Sequence, residues 1–488
     1  MNLSKSKYCN GVQCKKMLWL QKNKPEEKMD VSNDSVLDNG SLVGEYAKKL
    51  FGEYIDIEFN ENLNKMISDT KEALNNKECI ITEASFNYNN NFCSVDILKK
   101  NDNNYEIYEV KSSTEIKDIY KDDIAYQYYV LTNLGLNVTK ACIVHINPFY
   151  ERIGDLNLQE LFKINDVTDE IILKQEEVKT RIKEINEYME NKEEIPNDIS
   201  INCVKPYDCP FFKYCSKHLP KNNVFNIRLM RNSTKFKLYS EGIYSYDDLL
   251  NSDIDSKYKQ QIEYELYDKD DYINKDSIKN FLDTLYYPLY FLDFETYQQS
   301  IPEYDYIKPY MQVPFQYSLH YIDSENGTLK HKEFLADAGI DPRRRLAESL
   351  VNDIPMDGCT IAYNMSFEKS VIKNLARIYP DLSKHLMNIH DNMYDLMIPF
   401  KNREYYTKDM HGSYSIKYVL PALFKDDPSL DYHNLEGVHN GSEAMNTYAN
   451  LSNLSKEEQE VMRHNLLKYC ELDTYAMVKI WEKLKEIK

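Results

Sequence analysis

The sequence predicts an α/β fold in two or three domains, and three observations carry that prediction. Residues 290–297, Tyr-Phe-Leu-Asp-Phe-Glu-Thr-Tyr, read as a buried strand of aromatic and aliphatic residues with Pro288 just before it. Residues 92–98 and 105–111 alternate apolar and polar around a polar turn at 101–104, the pattern of a β-hairpin. Helical periodicity marks 178–189 and the stretch around 468–477. A chain of 488 residues is long enough to bury more than one core.

Hydrophobic content of 42% and charged content of 28% are ordinary for a soluble globular chain. No apolar run reaches membrane-spanning length. The N-terminus is basic (Lys5, Lys7, Lys15, Lys16) but lacks the apolar core of a signal peptide, so the expected location is cytoplasmic. A net charge of −19 argues against a surface coated for nucleic acid, while leaving room for a local basic groove. Arg343-Arg344-Arg345 is a candidate phosphate contact, or a solvated face. Ten cysteines in such a chain, three of them clustered, point to metal rather than disulfides.

Taken in order, residues 1–220 form the first unit. An apolar patch at 17–20 follows Cys14, and 40–51 reads as a helix with Leu42, Tyr46 and Leu50 on one face. A strand at 80–86 leads into the hairpin. Asp96 sits on the first hairpin strand; Glu109 and Lys111 sit on the second, two apart and so on one face. Two carboxylates can hold divalent ions that acidify a bound water, and a lysine ammonium can orient that water or offset phosphate charge. A helix at about 122–134 carries Gln127. This set resembles the RecB-type nucleases of the PD-(D/E)XK superfamily, in the branch of the CRISPR-associated and AddB exonucleases. The resemblance implies a restriction-endonuclease-like domain, catalytic roles for Asp96, Glu109, Lys111 and Gln127, and metal at Asp96 and Glu109. The first-helix histidine ligand of that branch has no counterpart; Glu45 stands in the equivalent stretch as its replacement.

Cys203, Cys209 and Cys215 fall within thirteen residues, and Cys14 lies far upstream beside Trp19. Thiolates suit iron–sulfur or zinc, and four close either site. The quartet resembles the ligands of the 4Fe–4S cluster in that nuclease branch, with Zn²⁺ as the alternative and Cys9 competing with Cys14 for the first position. Cys470 reads as a core residue. A helix with Val178, Ile182, Ile185 and Met189 on one face would reach back to the N-terminus.

Residues 221–285 read as a connector of short helices, and 286–488 as the second catalytic unit. On the strand at 290–297, Asp293 and Glu295 share the side of Phe291, while Leu292 and Phe294 face a core. Paired carboxylates at the end of a buried strand repel unless a cation sits between them, so this is a divalent-metal platform. Glu368 falls where a strand at 359–363 gives way to a helix. Tyr469 and Asp473, four apart, project from one helical face. The series Asp293-x-Glu295, Asn364-x-x-Phe367-Glu368 and Tyr469-x-x-x-Asp473 resembles the DEDD 3′–5′ exonucleases of the ribonuclease H-like fold, with Glu368 where that family usually has Asp. By that resemblance Asp293, Glu295, Glu368 and Asp473 hold Mg²⁺ or Mn²⁺ and Tyr469 positions the attacking water. The wording of this region is also similar to a bacterial domain-of-unknown-function family, number 2779, which commonly joins the same two units.

The expectation is therefore a metal-dependent nuclease acting on DNA ends or single strands in repair or defence, with a helicase or repair protein as a possible partner and no membrane. The alternatives are an RNA 3′–5′ exonuclease and a catalytically decayed protein that binds nucleic acid.

Overall fold

The structure, a computed structural model, describes residues 3–29 and 34–487, the side chains of 34–39 excepted. It is a mixed α/β chain with two larger sheets and one two-stranded sheet. Two compact units divide it: Met1–Pro220 with Gln299–Tyr310, and Lys221–Gln298 with Met311–Lys488. No helix among the described residues is long and apolar enough to cross a membrane.

The first unit is built on strands β1 (Leu3–Ser4), β2 (Ile55–Asp56), β3 (Glu78–Tyr88), β4 (Asn91–Asn101), β5 (Asn104–Lys111), β6 (Asn137–Ile146) and β7 (Phe162–Asp166). Their order is β2-β3-β4-β5-β6-β7, with β1 parallel to β4. β3, β4 and β5 form an antiparallel meander. Asn89 and Asn90 turn the first hairpin with φ of 48° and 65°, a left-handed conformation that asparagine tolerates well. The Asp118–Asn133 helix then returns the chain, so that β6 runs parallel to β5.

Alternate residues along these strands feed two cores. Ile107, Ala141 and Ile143 pack with Ile124, Val130, Val178, Ile182 and Ile185. Tyr108, Cys142 and Val144 pack with Val43, Ala47 and Leu50. The helix expected to bury Leu42 and Tyr46 is turned by one position: Val43 is fully buried and Leu42 is 40% exposed.

In the second unit the strands are β8 (Tyr272–Ile273), β9 (Leu289–Tyr297), β10 (Val313–Ile322), β11 (Lys330–Leu335), β12 (Cys359–Ala362), β13 (Met393–Asp395) and β14 (Tyr405–Tyr406). The main sheet runs β11-β10-β9-β12-β13. β9 to β11 are antiparallel; β12 and β13 lie parallel to β9 and to each other. A bulge between Pro314 and Gln316, where proline withholds a ladder donor, sits opposite Thr296 and Glu295. Residues 221–285 fall within this unit, as short helices around Val224, Ile227, Leu249 and Ile262, and β8 pairs with β14.

The central strand β9 separates two cores by its alternation. Leu289 and Phe291 meet Met477, Ile480, Trp481 and Leu484 of the C-terminal helix Lys456–Ile487. Tyr290, Leu292 and Phe294 meet Leu346, Leu350, Val371 and Leu375. Asp293 and Glu295 therefore emerge on the side of the C-terminal helix. Buried polar ties fix the rotation of that helix. Gln316 Nε2 donates to the Leu466 carbonyl at 2.8 Å. Thr474 Oγ1 lies 2.7 Å from Ser318 Oγ and 2.8 Å from His320 Nδ1.

The arginine run is not a free cationic patch. Arg343 is clamped by Asp341, Arg344 by Glu348 and Asp381, and Arg345 by Asp337.

Thr474→Val, which keeps the shape and removes the hydroxyl, should cost about 1–3 kcal/mol because Ser318 and His320 lose a shared partner inside the protein. Thr474→Ser should be close to wild type. Urea unfolding of both variants checks this.

Candidate functional site

Three elements bring carboxyl groups together in the second unit. β9 carries Asp293 and Glu295; the Ser366–Ile378 helix carries Glu368 in its first turn; the C-terminal helix carries Tyr469, Cys470 and Asp473. Glu368 is set by the turn before it. Asn364 adopts φ of 70°, and its N–H donates to Asp395 Oδ1 at 2.9 Å. The Met397 N–H donates to the same oxygen at 3.0 Å, so Asp395 pins both ends of adjoining segments. Glu368 is only 3% exposed, and its Oε2 has no hydrogen-bond partner. Tyr432 donates its hydroxyl to Asp473 Oδ1 at 2.6 Å and sits 5.9 Å, ring to ring, from Tyr469. Cys470 Sγ lies 4.0 Å from Asp293 Oδ2. A cavity of about 850 Å³ opens beside Tyr469 and Asp473, lined also by Lys417, Tyr432, His433 and His439.

Burial acts on every acid of this group, and repulsion from its neighbours adds to it at Asp293 and Glu295. Burial, then Asp473, Glu295 and Glu368, push the Asp293 carboxyl well above the usual range. Glu295 is raised in the same way, by burial and Asp473, against the opposing pull of Lys417. Burial lifts Glu368 to about 8. Asp473 is pushed up to about 6 by burial, although the hydroxyls of Tyr432 and Tyr469 oppose it. Each shift favours the protonated acid, and a cation bound among them would act in the opposite direction.

The first unit solves the same problem with ammonium groups. The β4–β5 ladder runs as far as Ile97 and Tyr108, and the next residues are Asp96 and Glu109. Asp96 Oδ2 accepts from the Val110 N–H at 2.7 Å. Glu109, 1% exposed, accepts from Lys111 Nζ at 2.6 Å and from Gln127 Nε2 at 2.6 Å. Lys5, from the first helix, sets its Nζ 3.3 Å from Asp96 Oδ1, 3.1 Å from both Glu109 oxygens and 4.0 Å from Asp123 Oδ1. Asp123 also pairs with Lys111 at 2.7 Å. Burial works to raise Glu109, but Lys111 and Lys5 outweigh it and hold the carboxyl far below its ordinary value. Burial and Glu109 push Asp96 and Asp123 up to about 6.

Asp96, Glu109, Lys111 and Gln127 are thus brought together. Glu45 is not joined to them by any described bond: it is an exposed residue whose Oε1 pairs with Lys48 at 3.0 Å. Cys14, Cys203, Cys209 and Cys215 pack on one core; burial raises the thiols of Cys203, Cys209 and Cys215, and Cys14 adds to the rise at each. Gln13 ties this region together, donating to the carbonyls of Asn202 at 2.8 Å and Tyr207 at 2.7 Å. Cys9 feels Asp123, Lys111, Glu109 and Lys5 instead. Burial is the largest influence on Cys9, and it packs on the same core as Cys14.

Residues 290–415 match the family model described as a domain of unknown function (DUF2779). An uncharacterized protein of Ureaplasma parvum, UU173, is 26% identical over 260 residues, 49% of this chain and 37% of its own length. An uncharacterized protein of Mycoplasma genitalium, MG366, is 29% identical over 210 residues, 39% of this chain and 31% of its own length. The chain spans well under half of either relative. The family match begins at β9 and ends at Ser415, so it takes in Asp293, Glu295 and Glu368 and stops before Tyr469 and Asp473.

Three residues of these sites were missed by sequence reasoning. Asp123 stands four before Gln127 on one helix, a spacing that could have revealed it. Cys470 is buried in the core, as expected, and its thiol also lies 4.0 Å from Asp293 Oδ2. Lys5 and Tyr432 reach their sites from segments with no fixed spacing to the acids, and nothing in the sequence marks them.

The raised Glu368 carboxyl gives a signed pH dependence. The folded protein keeps this proton where the unfolded chain has lost it, so the stabilisation is full below about 4.5 and disappears as pH rises through about 8. Urea unfolding of metal-free protein across that window should show stability falling with pH, and Glu368→Gln should flatten the fall.

Proposed function

We propose that the protein is a metal-dependent nuclease with its principal site in the second unit, on a ribonuclease H-like fold of the DEDD exonuclease type. The observation that carries this reading is the group Asp293, Glu295, Glu368 and Asp473: two buried and two half-buried acids from three elements, with no ammonium among their described bonds and a nucleotide-sized cavity beside them. The donor set is all oxygen apart from one thiol, which fits Mg²⁺ or Mn²⁺. Those ions would be held by Asp293, Glu295 and Asp473, with Glu368 behind. When bound, they supply Lewis acidity and a more acidic water.

The chain's own groups do the rest. Tyr469 presents its hydroxyl beside Asp473, where it orients a water for attack on phosphorus. Tyr432 and His433 offer ring faces to a terminal base in the cavity, and Lys417 offers an ammonium to a phosphate.

The first unit fits a restriction-endonuclease-like nuclease domain of the RecB type, with Asp96, Glu109, Lys111 and Gln127 in its site. The Lys5 ammonium lies where a divalent ion would bridge Asp96 and Glu109, and this favours a second reading for that unit: nucleic-acid binding without cleavage unless Lys5 withdraws. Lys5→Met should raise the affinity of this unit for Mn²⁺, read by calorimetry on the Asp293→Asn background.

The four thiols would hold a 4Fe–4S cluster, with Zn²⁺ as the alternative, since thiolates suit either and four close the site. DNA is preferred to RNA as substrate because residues 1–220 resemble RecB-type nucleases, and a helicase or repair protein is the partner this implies.

Digestion of end-labelled DNA and RNA with Mn²⁺ tests the proposal. Asp293→Asn should lower cleavage by at least about 100-fold, since metal Lewis acidity contributes several kcal/mol, while nucleic-acid binding persists. Asp96→Asn should have a much smaller effect. Undiminished cleavage by Asp293→Asn would remove the second-unit site from the chemistry.

A further inference from the structure

The thiol of Cys470 is placed as a ligand rather than as filling. It is fully buried, and its Sγ lies 3.9 Å from the Asp293 carbonyl oxygen and 4.0 Å from Asp293 Oδ2. One ligand atom each from Asp293, Glu295 and Cys470 lie within 4.8 Å of one another. A second observation points at the same spot: Glu368 is 3% exposed, its Oε2 lacks a partner, and its charge acts on both Asp293 and Glu295. The ties of Gln316 to Leu466 and of Ser318 to Thr474 bracket Cys470 on the C-terminal helix, so its direction is fixed by the fold.

We propose that Asp293, Glu295 and Cys470 form a site for thiophilic divalent ions of the Zn²⁺, Co²⁺ and Cd²⁺ class, which displace Mg²⁺ or Mn²⁺ from the second-unit centre. The proposal rests on reading the acid group as a metal site and does not require that the site cleave anything. Its chemistry is a difference in ligand softness. Mg²⁺ takes oxygen donors and leaves a thiol alone, whereas a softer ion bonds sulfur. On binding, the Cys470 S–H bond and any carboxyl O–H bonds of Asp293 and Glu295 break, metal–sulfur and metal–oxygen bonds form, and the protons pass to solvent; coordinated thiols are deprotonated outright. Two carboxylates and one thiolate then hold the ion with a net charge of −1, tighter than oxygen donors alone. Which ions are present thus decides whether the centre is in its all-oxygen or its sulfur-bound state, and the second state excludes the first because they share Asp293 and Glu295.

The test is a Co²⁺ titration of the metal-free full chain, followed by the near-ultraviolet sulfur-to-cobalt absorption, side by side with Cys470→Ser and Asp293→Asn. The other nine cysteines are common to all three proteins, so a band lost in Cys470→Ser belongs to Cys470. The expected result is a wild-type-minus-variant difference band for both variants, over the absorption that the four thiols of the first unit contribute, at least about tenfold weaker Co²⁺ binding at this site in Cys470→Ser, and loss of the difference band on adding Zn²⁺ but not Mg²⁺. Circular dichroism confirms folding; if Cys470→Ser does not fold, Asp293→Asn, which keeps the thiol, carries the test alone. Identical cobalt spectra in wild type and a folded variant overturn the proposal. Absence of any nuclease activity would sink the proposed function and leave this result intact; Mg²⁺-dependent cleavage without the difference band would sink only this inference.

Discussion

Like charges forced together inside the second unit set the terms for the structure around them. Two carboxylates about 4 Å apart repel by about 4 kcal/mol even at an effective dielectric of about 20, and here four acids converge. Only Asp293 and Glu295 are close in sequence, so the repulsion is borne by the packing that fixes β9, the Ser366–Ile378 helix and the C-terminal helix. That packing is correspondingly over-determined. Hydroxyl and amide ties at Gln316, Ser318 and Thr474 set the rotation of the C-terminal helix, and Phe291 meets Trp481 at 5.7 Å. Asp395 binds two backbone N–H groups to hold the turn before Glu368. A region that had no use for the acids would relieve the strain by replacing one of them.

The first unit offers a comparison within one chain. There Asp96, Glu109 and Asp123 also crowd together, yet Lys5, Lys111 and the Gln127 amide supply the compensation. The carboxylate at the centre, Glu109, stays ionised, whereas in the second unit burial raises all four acids and neighbouring acids add to it at Asp293, Glu295 and Glu368. The two sites therefore differ in what they ask of solution. The first is balanced by groups of its own; the second is short of positive charge, and that shortage is why the cutting chemistry is assigned to it.

What could be read from the sequence follows from how local each signal is. The side shared by Phe291, Asp293 and Glu295 depends only on strand alternation, and the common face of Tyr469 and Asp473 only on helical spacing; both stand in the structure. The pairing of Asp96 with Glu109 needed only a short hairpin. The slip from Leu42 to Val43 arose because several neighbouring apolar residues can each mark a helix face, and only the sheet beneath decides which is buried. Arg343 to Arg345 looked like a phosphate contact because the acids that neutralise them, Asp337, Asp341, Glu348 and Asp381, are dispersed along the chain. Lys5 and Tyr432 enter their sites through tertiary folding alone, and no period or motif announces them.

Tyr432 shows what such a residue adds. Its hydroxyl takes up Asp473 Oδ1, an oxygen that a bound ion or an attacking water would also use, and its ring walls the cavity beside that oxygen. On the proposed reading, a base held in the cavity would lie against the Tyr432 ring, and the hydroxyl bond to Asp473 offsets part of the repulsion that the group would otherwise carry.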